Sequence, residues 1–331
     1  MSHTALPQVV ILGGGFAGVG SAIALQKLSR KNLADVHLVS DENYFVFQPL
    51  LPEVVAARLE PTHILNPIRQ LCPAVHFHCA KLKSVDLEGR HVIVVGSDGG
   101  EESFPYDHLV LGMGVSLDLS SIPGLREHAL PIKTLGDAFH LRNHILRQLE
   151  IADLQQDEAA ARRALTFVVI GGGFSGVETI AEVNDMIKSV LHYYRRAARL
   201  GHRMVLIHSR DRILNELGDE LAIFAQEKLR SRGVEIILNS RVREVTPKKV
   251  ILPDGSEIET STVVCSVGNA PLPTVSAMNL PLQKGRIDVD ECLRVRGHAA
   301  LWALGDCAAV PDMKRGGLCP PTAQYALRQG K

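Results

Sequence analysis

"VILGGGFAGVG" at residues 10–20 and "VVIGGGFSGVE" at residues 168–178 are nearly the same eleven residues, written twice in one chain. Each stretch starts as a β-branched apolar run, breaks into three glycines, and continues with small and apolar residues. That order reads as a strand, a tight turn and the start of a helix. The glycines carry separate tasks. The first (Gly13, Gly171) permits the turn, the second (Gly15, Gly173) lets main chain approach a pyrophosphate, and the third (Gly18, Gly176) lets the helix pack on the strand. Phe16 and Ala17, and Phe174 and Ser175, then open helices whose free N–H groups and positive dipole end face an anion. One such turn says little, because glycine turns also arise for packing. Two, each after a β-run and each opening a helix, point to two dinucleotide sites.

The repeat extends beyond the glycines. "QVVILGGG", "FAGVGSAIALQKLSR" and "DVHLVS" spell strand, helix and strand over residues 8–40. "ALTFVVI", "FSGVETIAEVNDMIKSVLHYYRRAARL" and "RMVLIHS" do so over residues 164–209, with the helix expected unbroken over 174–200. Each copy then adds a hairpin and a returning strand. "HVIVVGSDGGEESFPYDHLVLGMG" (91–114) turns at Asp98-Gly99-Gly100 and returns to Gly112-Met113-Gly114, while "KVILPDGSEIETSTVVCSVGNAP" (249–271) turns at Asp254-Gly255 and returns to Gly268. The charged, Ala-rich "LEIADLQQDEAAARRAL" (149–165) reads as a linker or a solvated helix. The expected fold is α/β, with two Rossmann-like dinucleotide-binding domains, each carrying an inserted β-hairpin or β-meander.

Composition allows this. The chain has 331 residues, enough for about two domains. Lys and Arg equal Asp and Glu at 36 each, so no net field recruits nucleic acid. Six cysteines (Cys72, Cys79, Cys265, Cys292, Cys307, Cys319) lack a C-x-x-C pair, which argues against a disulfide framework and a dithiol redox centre. Reduced thiols in the cytoplasm are the expectation, Cys307 reads as a small packing residue, and no metal site is expected. No stretch approaches the ~20 apolar residues of a membrane-spanning helix. The basic cluster Arg195, Arg196, Arg199, His202 and Arg203 is expected on a solvated helix end.

Two dinucleotide sites in one chain have a chemical use. A nicotinamide gives up a hydride and a flavin stores it, so FAD in one domain and NADH or NADPH in the other make a minimal electron relay. "LWALGDCAAVPD" (301–312) suggests where the flavin sits: a buried strand ending at Gly305-Asp306, then small residues able to begin a helix. Asp306 can take a hydroxyl of the ribityl chain, and Gly305 lets the backbone come near. If the chain crosses back after completing the second copy, residues 1–131 and 271–331 form the FAD-binding domain and residues 132–270 the NAD(P)H-binding domain. In the first copy Ser40 ends the second strand, and Asp41 is assigned the ribose contact. In the second copy His208, Ser209 and Arg210 stand where an acid would favour NADH. Arg210 either pairs with a 2′-phosphate or faces solvent, which leaves the nicotinamide preference open.

These stretches, with "ENYFVFQPLLPEVVAARLEPTHILNPIR" (42–69), "IPGLREHALPIKTLGDAFHLRNHI" (122–145), "RILNELGDELAIFAQEKLRSRGVEI" (212–236) and "PPTAQYALRQG" (320–330), cover nearly the whole chain. Together they resemble the two-dinucleotide-binding-domain flavoproteins, and within them the type II NADH:quinone oxidoreductases, the single-subunit, non-proton-pumping NADH dehydrogenases of respiratory electron transport. The segments "FQPLLPEV" and "PPTAQ" carry the specific part of the likeness. The resemblance implies FAD and NADH or NADPH as cofactors, hydride transfer to the flavin, and a quinone as electron acceptor.

At residue level, Pro320-Pro321 stops any incoming helix and Thr322 is a good N-cap, so a new helix starts there. The resemblance implies that Thr322, Ala323 and Gln324 aim this helix at the pyrimidine side of the flavin, where a helix dipole favours the negative charge of the reduced ring. It also implies a quinone contact at Gln324, with Arg328 where the family has a second glutamine, and Gln329 next. Glu178 is implied near the nicotinamide, and Glu182 one turn on shares its face. Family members continue into amphipathic helices that bind the membrane surface, so a chain cut short at Lys331 is expected. The expected location is cytoplasmic, or the cytoplasmic face of the membrane for a full-length form; a homodimer is left open. The rival readings are a reductase of a small iron–sulfur carrier and a flavin-binding signalling or scaffold protein with vestigial catalysis. Sulfide:quinone oxidoreductase chemistry needs a pair of flavin-adjacent cysteines, which the sequence does not offer.

Overall fold

The computed structural model describes residues 5–314 and 316–331, which form two compact units. The first holds the described residues through Val46 together with Leu65–Ser116 and Asn269–Lys331; the second holds Phe47–Ile64 and Leu117–Gly268.

The first unit is built on β1 (Gln8–Leu12), α1 (Phe16–Arg30), β2 (Asp35–Ser40), β3 (His76–Asp86), β4 (His91–Gly96), β5 (Glu101–Pro105) and β6 (His108–Leu111). Its sheet runs Leu301–Ala303, β6, β1, β2, β3, β4, β5. The first five strands are parallel. β1 is apolar throughout its buried length, Val9 to Leu12, because a parallel sheet is covered on both faces. β3 belongs to two patterns at once: His76–Cys79 pair in parallel with β2, and Ala80–Asp86 pair antiparallel with β4. The hairpin expected at residues 91–105 therefore extends the nucleotide-binding sheet as a meander. Winding reverses at β1, with β2 on one side and β6 on the other, which opens a crevice at the carboxyl ends of the strands.

The second unit repeats the plan with α2 (Leu135–Leu154), β7 (Thr166–Ile170), α3 (Phe174–Val190), β8 (Arg203–Ile207), α4 (Asp219–Ser231), β9 (Val234–Ile237) and β10 (Thr262–Cys265). The order is Leu130–Pro131, β10, β7, β8, β9, all parallel. The hairpin expected at Asp254-Gly255 is present, joining Lys249–Ile251 to Glu257–Glu259. Asp254 accepts from the N–H and hydroxyl of Ser256 at 2.9 and 2.6 Å, and Gly255 supplies the left-handed corner at φ +86°.

Several expectations need correction. The units divide at 116/117 and 268/269 rather than 131/132 and 270/271. Residues 117–131 go with the second unit because Leu130 and Pro131 pair with β10 and Ile122, Leu125 and Ala129 enter the core with Val168 and Val205. Phe47–Ile64, carrying the short helix Leu51–Val55, packs there as well. Residues 149–165 are helical, as the solvated-helix reading has it, but in two packed segments and not as a linker: α2 runs to Leu154, Asp157 caps a second helix by accepting from the Ala159 N–H at 3.0 Å, and Ala161 and Ala164 are buried. The helix expected over 174–200 stops at Val190, passes through the turn Leu191–Tyr193, and resumes at Arg195. Asp153 starts the new segment by accepting from the Arg196 and Ala197 N–H groups. Of the basic cluster, Arg195 and Arg199 are exposed on the helix Arg195–Leu200 as expected, but Arg196 and His202 are half-buried and Arg203 opens β8. After Asp306 no helix begins; Ala308–Ala309 form a short strand parallel to Arg286–Asp288.

Candidate functional site

In the first unit the glycine turn is dictated by contacts that forbid side chains. Gly13 sits at φ +110°, and a Cβ there would lie 2.5 Å from the Gly112 carbonyl oxygen. A Cβ at Gly18 would collide with the Gly13 carbonyl, and one at Gly112 would lie 2.9 Å from the Gly18 nitrogen. The space around Gly15 and Gly114 is open. α1 begins after Gly15 with no side-chain cap, so the positive end of the helix is turned toward the site of an anion. Phe16 and Ala17 offer main chain only. The Phe16 ring is buried edge-on against Phe45 at 4.9 Å, and Ala17 faces Gly305. Ser40 is likewise buried; its hydroxyl fills the space beside Gly14 and accepts from the Glu42 N–H at 3.3 Å, so it shapes the turn. Asp41, at the end of β2, is exposed.

The strand Leu301–Ala303 delivers the Gly305-Asp306 turn beside β1 and β6, with Gly305 at φ +73°. Two side chains that sequence reading did not assign hold this turn to the end of the chain. Gln329 accepts from the Gly305 N–H at 2.8 Å. Arg286 donates to the Cys319 carbonyl at 3.1 Å and feels the Asp306 carboxylate. Thr322 caps the helix Ala323–Gln329, which lies along α1 where Gly20 and Gly330 permit close approach. Gln324 and Arg328, four residues apart, are exposed on one face. Cys307 packs as expected: its thiol lies 3.3 Å from the Leu111 and Leu304 carbonyls, and burial pushes its pKa up to about 11. Gln329 is legible in retrospect only as a polar residue on the buried side of a helix; nothing in sequence distinguishes it from Arg328.

The second unit repeats the turn. Gly171 sits at φ +117°, a Cβ at Gly176 would collide with the Gly171 carbonyl, and the space around Gly173 is open. Phe174, unlike Phe16, is 40% exposed, and Ser175 is exposed beside it. A cavity of about 360 Å³ lies over this turn, walled by His208, Ser209, Arg210, Asn215, Glu216, Arg241 and Gly268. His208 is committed to the turn itself. Its Nδ1 accepts from the Gly172 N–H at 3.1 Å, its Nε2 lies 2.9 Å from the Asn215 side-chain amide, and burial lowers its pKa, so the ring is neutral. Each turn thus offers a helix N-terminus without a side-chain cap, no Cβ and an open side, which fits a dinucleotide pyrophosphate in each unit.

Glu178 and Glu182 lie one turn apart on α3, and the segment Phe47–Ile64 brings Glu53 and Arg58 to them. Burial, reinforced by Glu53 and then Glu182, pushes the Glu178 carboxyl up to about 7. Burial raises Glu182 as well, opposed by Arg58, whose Nε lies 3.1 Å from its carboxylate. Arg58 also pairs with Asp185 at 2.7 Å, and Asp185 with Arg232. This arrangement can hold a proton near neutral pH. Glu53 and Arg58 went unassigned in sequence; the only signal was a single acid inside the apolar "LLPEVVAA".

Comparison with known proteins agrees with this geometry. The family model of the pyridine nucleotide-disulphide oxidoreductases matches residues 7–330. The chain is 32% identical to the internal alternative NAD(P)H-ubiquinone oxidoreductase A1, mitochondrial, of Solanum tuberosum, over 98% of this chain and 67% of that protein. It is 30% identical to the demethylphylloquinone reductase NdbB of Synechocystis, over 98% and 77%, and 30% identical to the external alternative NADH-ubiquinone oxidoreductase, mitochondrial, of Yarrowia lipolytica, over 97% and 57%. The chain therefore spans between about half and three quarters of the length of these curated relatives. Its fold matches that of NDH2 from Plasmodium falciparum in complex with NADH, with a TM-score of 0.90 at 20% identity, covering 98% of this chain and 82% of that one.

Proposed function

The chain belongs to the pyridine nucleotide-disulphide oxidoreductase family, and from that premise we propose that it is a non-electrogenic NAD(P)H dehydrogenase of the type II class that reduces a quinone. The reaction is NAD(P)H + H⁺ + quinone → NAD(P)⁺ + quinol. FAD, when bound, supplies the redox chemistry, taking the hydride pair and passing two electrons on.

The residues divide the work by unit. In the first, the turn Gly13 to Gly18 and the N-terminus of α1 would hold the FAD pyrophosphate, Asp41 would take the adenosine ribose, and Asp306 a ribityl hydroxyl. Main chain at Gly112, Gly114 and Gly305, with Thr322, Ala323 and Gln324 at the start of the last helix, would complete the flavin site. Gln324 and Arg328 are donors to a quinone carbonyl. In the second unit, the turn Gly171 to Gly176 and Gly268 hold NAD(P)H, and Glu178 stores a proton. Domain roles follow: the first unit binds FAD and the second NAD(P)H. Among the described residues no helix is long and apolar enough to cross a membrane. For a full-length form that carries the family's C-terminal amphipathic helices, access to a lipid-borne quinone is by peripheral attachment at the cytoplasmic face.

The observation that carries this reading is the pair of glycine cradles, each on its own parallel sheet, with the Gly305-Asp306 turn returning to the first. Anaerobic mixing with NADH and with NADPH tests it: the flavin absorbance bleaches, then recovers when a water-soluble quinone is added. A colourless protein defeats the flavin assignment, and bleaching that quinone does not reverse defeats the acceptor.

A further inference from the structure

The cavity over the second glycine turn carries an inference that rests on the NAD(P)H reading above and sharpens it. In a dinucleotide fold of this kind, the residue ending the second strand chooses between cofactors: an acid there grips the ribose 2′-hydroxyl and repels a 2′-phosphate. Here that place is held by His208, immediately after β8, and its ring is spent on the Gly172 N–H and the Asn215 amide. It has no acceptor to spare for a ribose hydroxyl.

Two guanidinium groups stand beside it. Arg210 and Arg241 both wall the cavity, and both are exposed. The backbone brings them together: the Asn239 N–H donates to the Arg210 carbonyl at 2.8 Å and the Ser240 N–H to the His208 carbonyl at 3.0 Å. Ser209 and Ser240 add hydroxyls to the same wall. The acids facing the cavity, Asp118 and Glu216, come from other segments and not from the end of β8.

We propose that Arg210 and Arg241 form a clamp for the 2′-phosphate of the nicotinamide cofactor, making NADPH the preferred hydride donor. Guanidinium groups suit this because each offers paired donors to a dianionic phosphate, and the charge-assisted bonds are stronger than those to a neutral hydroxyl. The neutral His208 ring sets the floor of the site by fixing the turn, while the two arginines read the phosphate.

The test uses the purified full chain and two nucleotide fragments, 2′,5′-ADP and 5′-ADP, with binding followed by calorimetry. 2′,5′-ADP binds at least ~10-fold more tightly, and rising salt narrows the gap. Arg210→Ala and Arg241→Ala each remove most of that advantage and leave 5′-ADP affinity within about threefold, because a neutral ribose does not use the clamp. Retained 5′-ADP binding also reports that each variant is folded. Equal affinity of the parent for both fragments, or variants that retain both 5′-ADP binding and the full 2′,5′-ADP advantage, overturns the clamp while leaving the dinucleotide site in place. Binding of neither fragment overturns the NAD(P)H reading itself.

Discussion

Replacing Glu178 by Gln should stabilise the protein at alkaline pH and leave it unchanged at acid pH. The fold raises this carboxyl from 4.5 to about 7, chiefly by burial, with Glu53 and Glu182 adding repulsion. Below pH 4.5 both the folded and the unfolded chain hold the proton; between 4.5 and about 7 the unfolded chain releases it while the folded chain keeps it. Stability therefore falls as pH rises through that window and stays lowered above it. Fully expressed, the displacement is worth ~3 kcal/mol. Although its carboxyl is partly desolvated, the Glu178 residue is exposed, so water screens much of the penalty and roughly 1 kcal/mol remains. For a unit of this size that is a melting difference of roughly 2–4 °C. Thermal unfolding of parent and Glu178→Gln chains at about pH 8.5 and about pH 4.5 measures it, with the variant ahead only at the higher pH. A variant no more stable than the parent at alkaline pH, or a gap that does not shrink on acidification, would refute the reasoning. Glu182→Gln serves as the contrast, since it gives up the Arg58 contact and gains less.

Gln329→Leu strands the Gly305 N–H, which costs ~1–3 kcal/mol and loosens the last helix from the Asp306 turn. FAD retention, read as flavin absorbance after dialysis, drops in the Leu variant and is restored in Gln329→Glu, which keeps an acceptor; equal retention in both would remove the hydrogen bond from consideration. Where β3 pairs with β2 in the sheet of the first unit, His78 is lowered to about 4 by burial, then by His37, His76 and Arg69, against Asp35, and its Nε2 lies 2.9 Å from His37 Nδ1. A ring kept neutral in the fold contributes stability that is complete above 6.5 and is lost as pH falls toward 4. The loss of melting temperature between about pH 7.5 and about pH 5 should accordingly be smaller in His78→Phe than in the parent, and an equal loss would assign the acid sensitivity elsewhere.

Much of the fold can be read in sequence because it is set by local rules. The apolar runs of β1 and β7, and the glycines that follow them, admit one reading, since a Cβ at Gly13, Gly18, Gly171 or Gly176 meets backbone that cannot move. The hairpins at Asp98-Gly99 and Asp254-Gly255 and the Thr322 cap are equally short-range. The misreadings share a different cause. Helix propensity over 174–200 could not register that Asp153, from a distant helix, would restart the chain at Arg196. Small residues after Asp306 suggested a helix until Arg286–Asp288 arrived to pair with them.

The sequence by itself determined that this protein has two dinucleotide cradles, because a strand, a glycine turn and a helix are specified within some fifteen consecutive residues. Only the tertiary structure decided what surrounds them. It moved Phe47–Ile64 into the second unit, setting Glu53 and Arg58 against Glu178 and Glu182. It turned Gln329 rather than Arg328 onto the Gly305 turn, and committed the His208 ring to Gly172 with Arg210 and Arg241 left beside the cavity. Burial and charge pairing between residues far apart in the chain are properties of the packed molecule, and no local pattern encodes them.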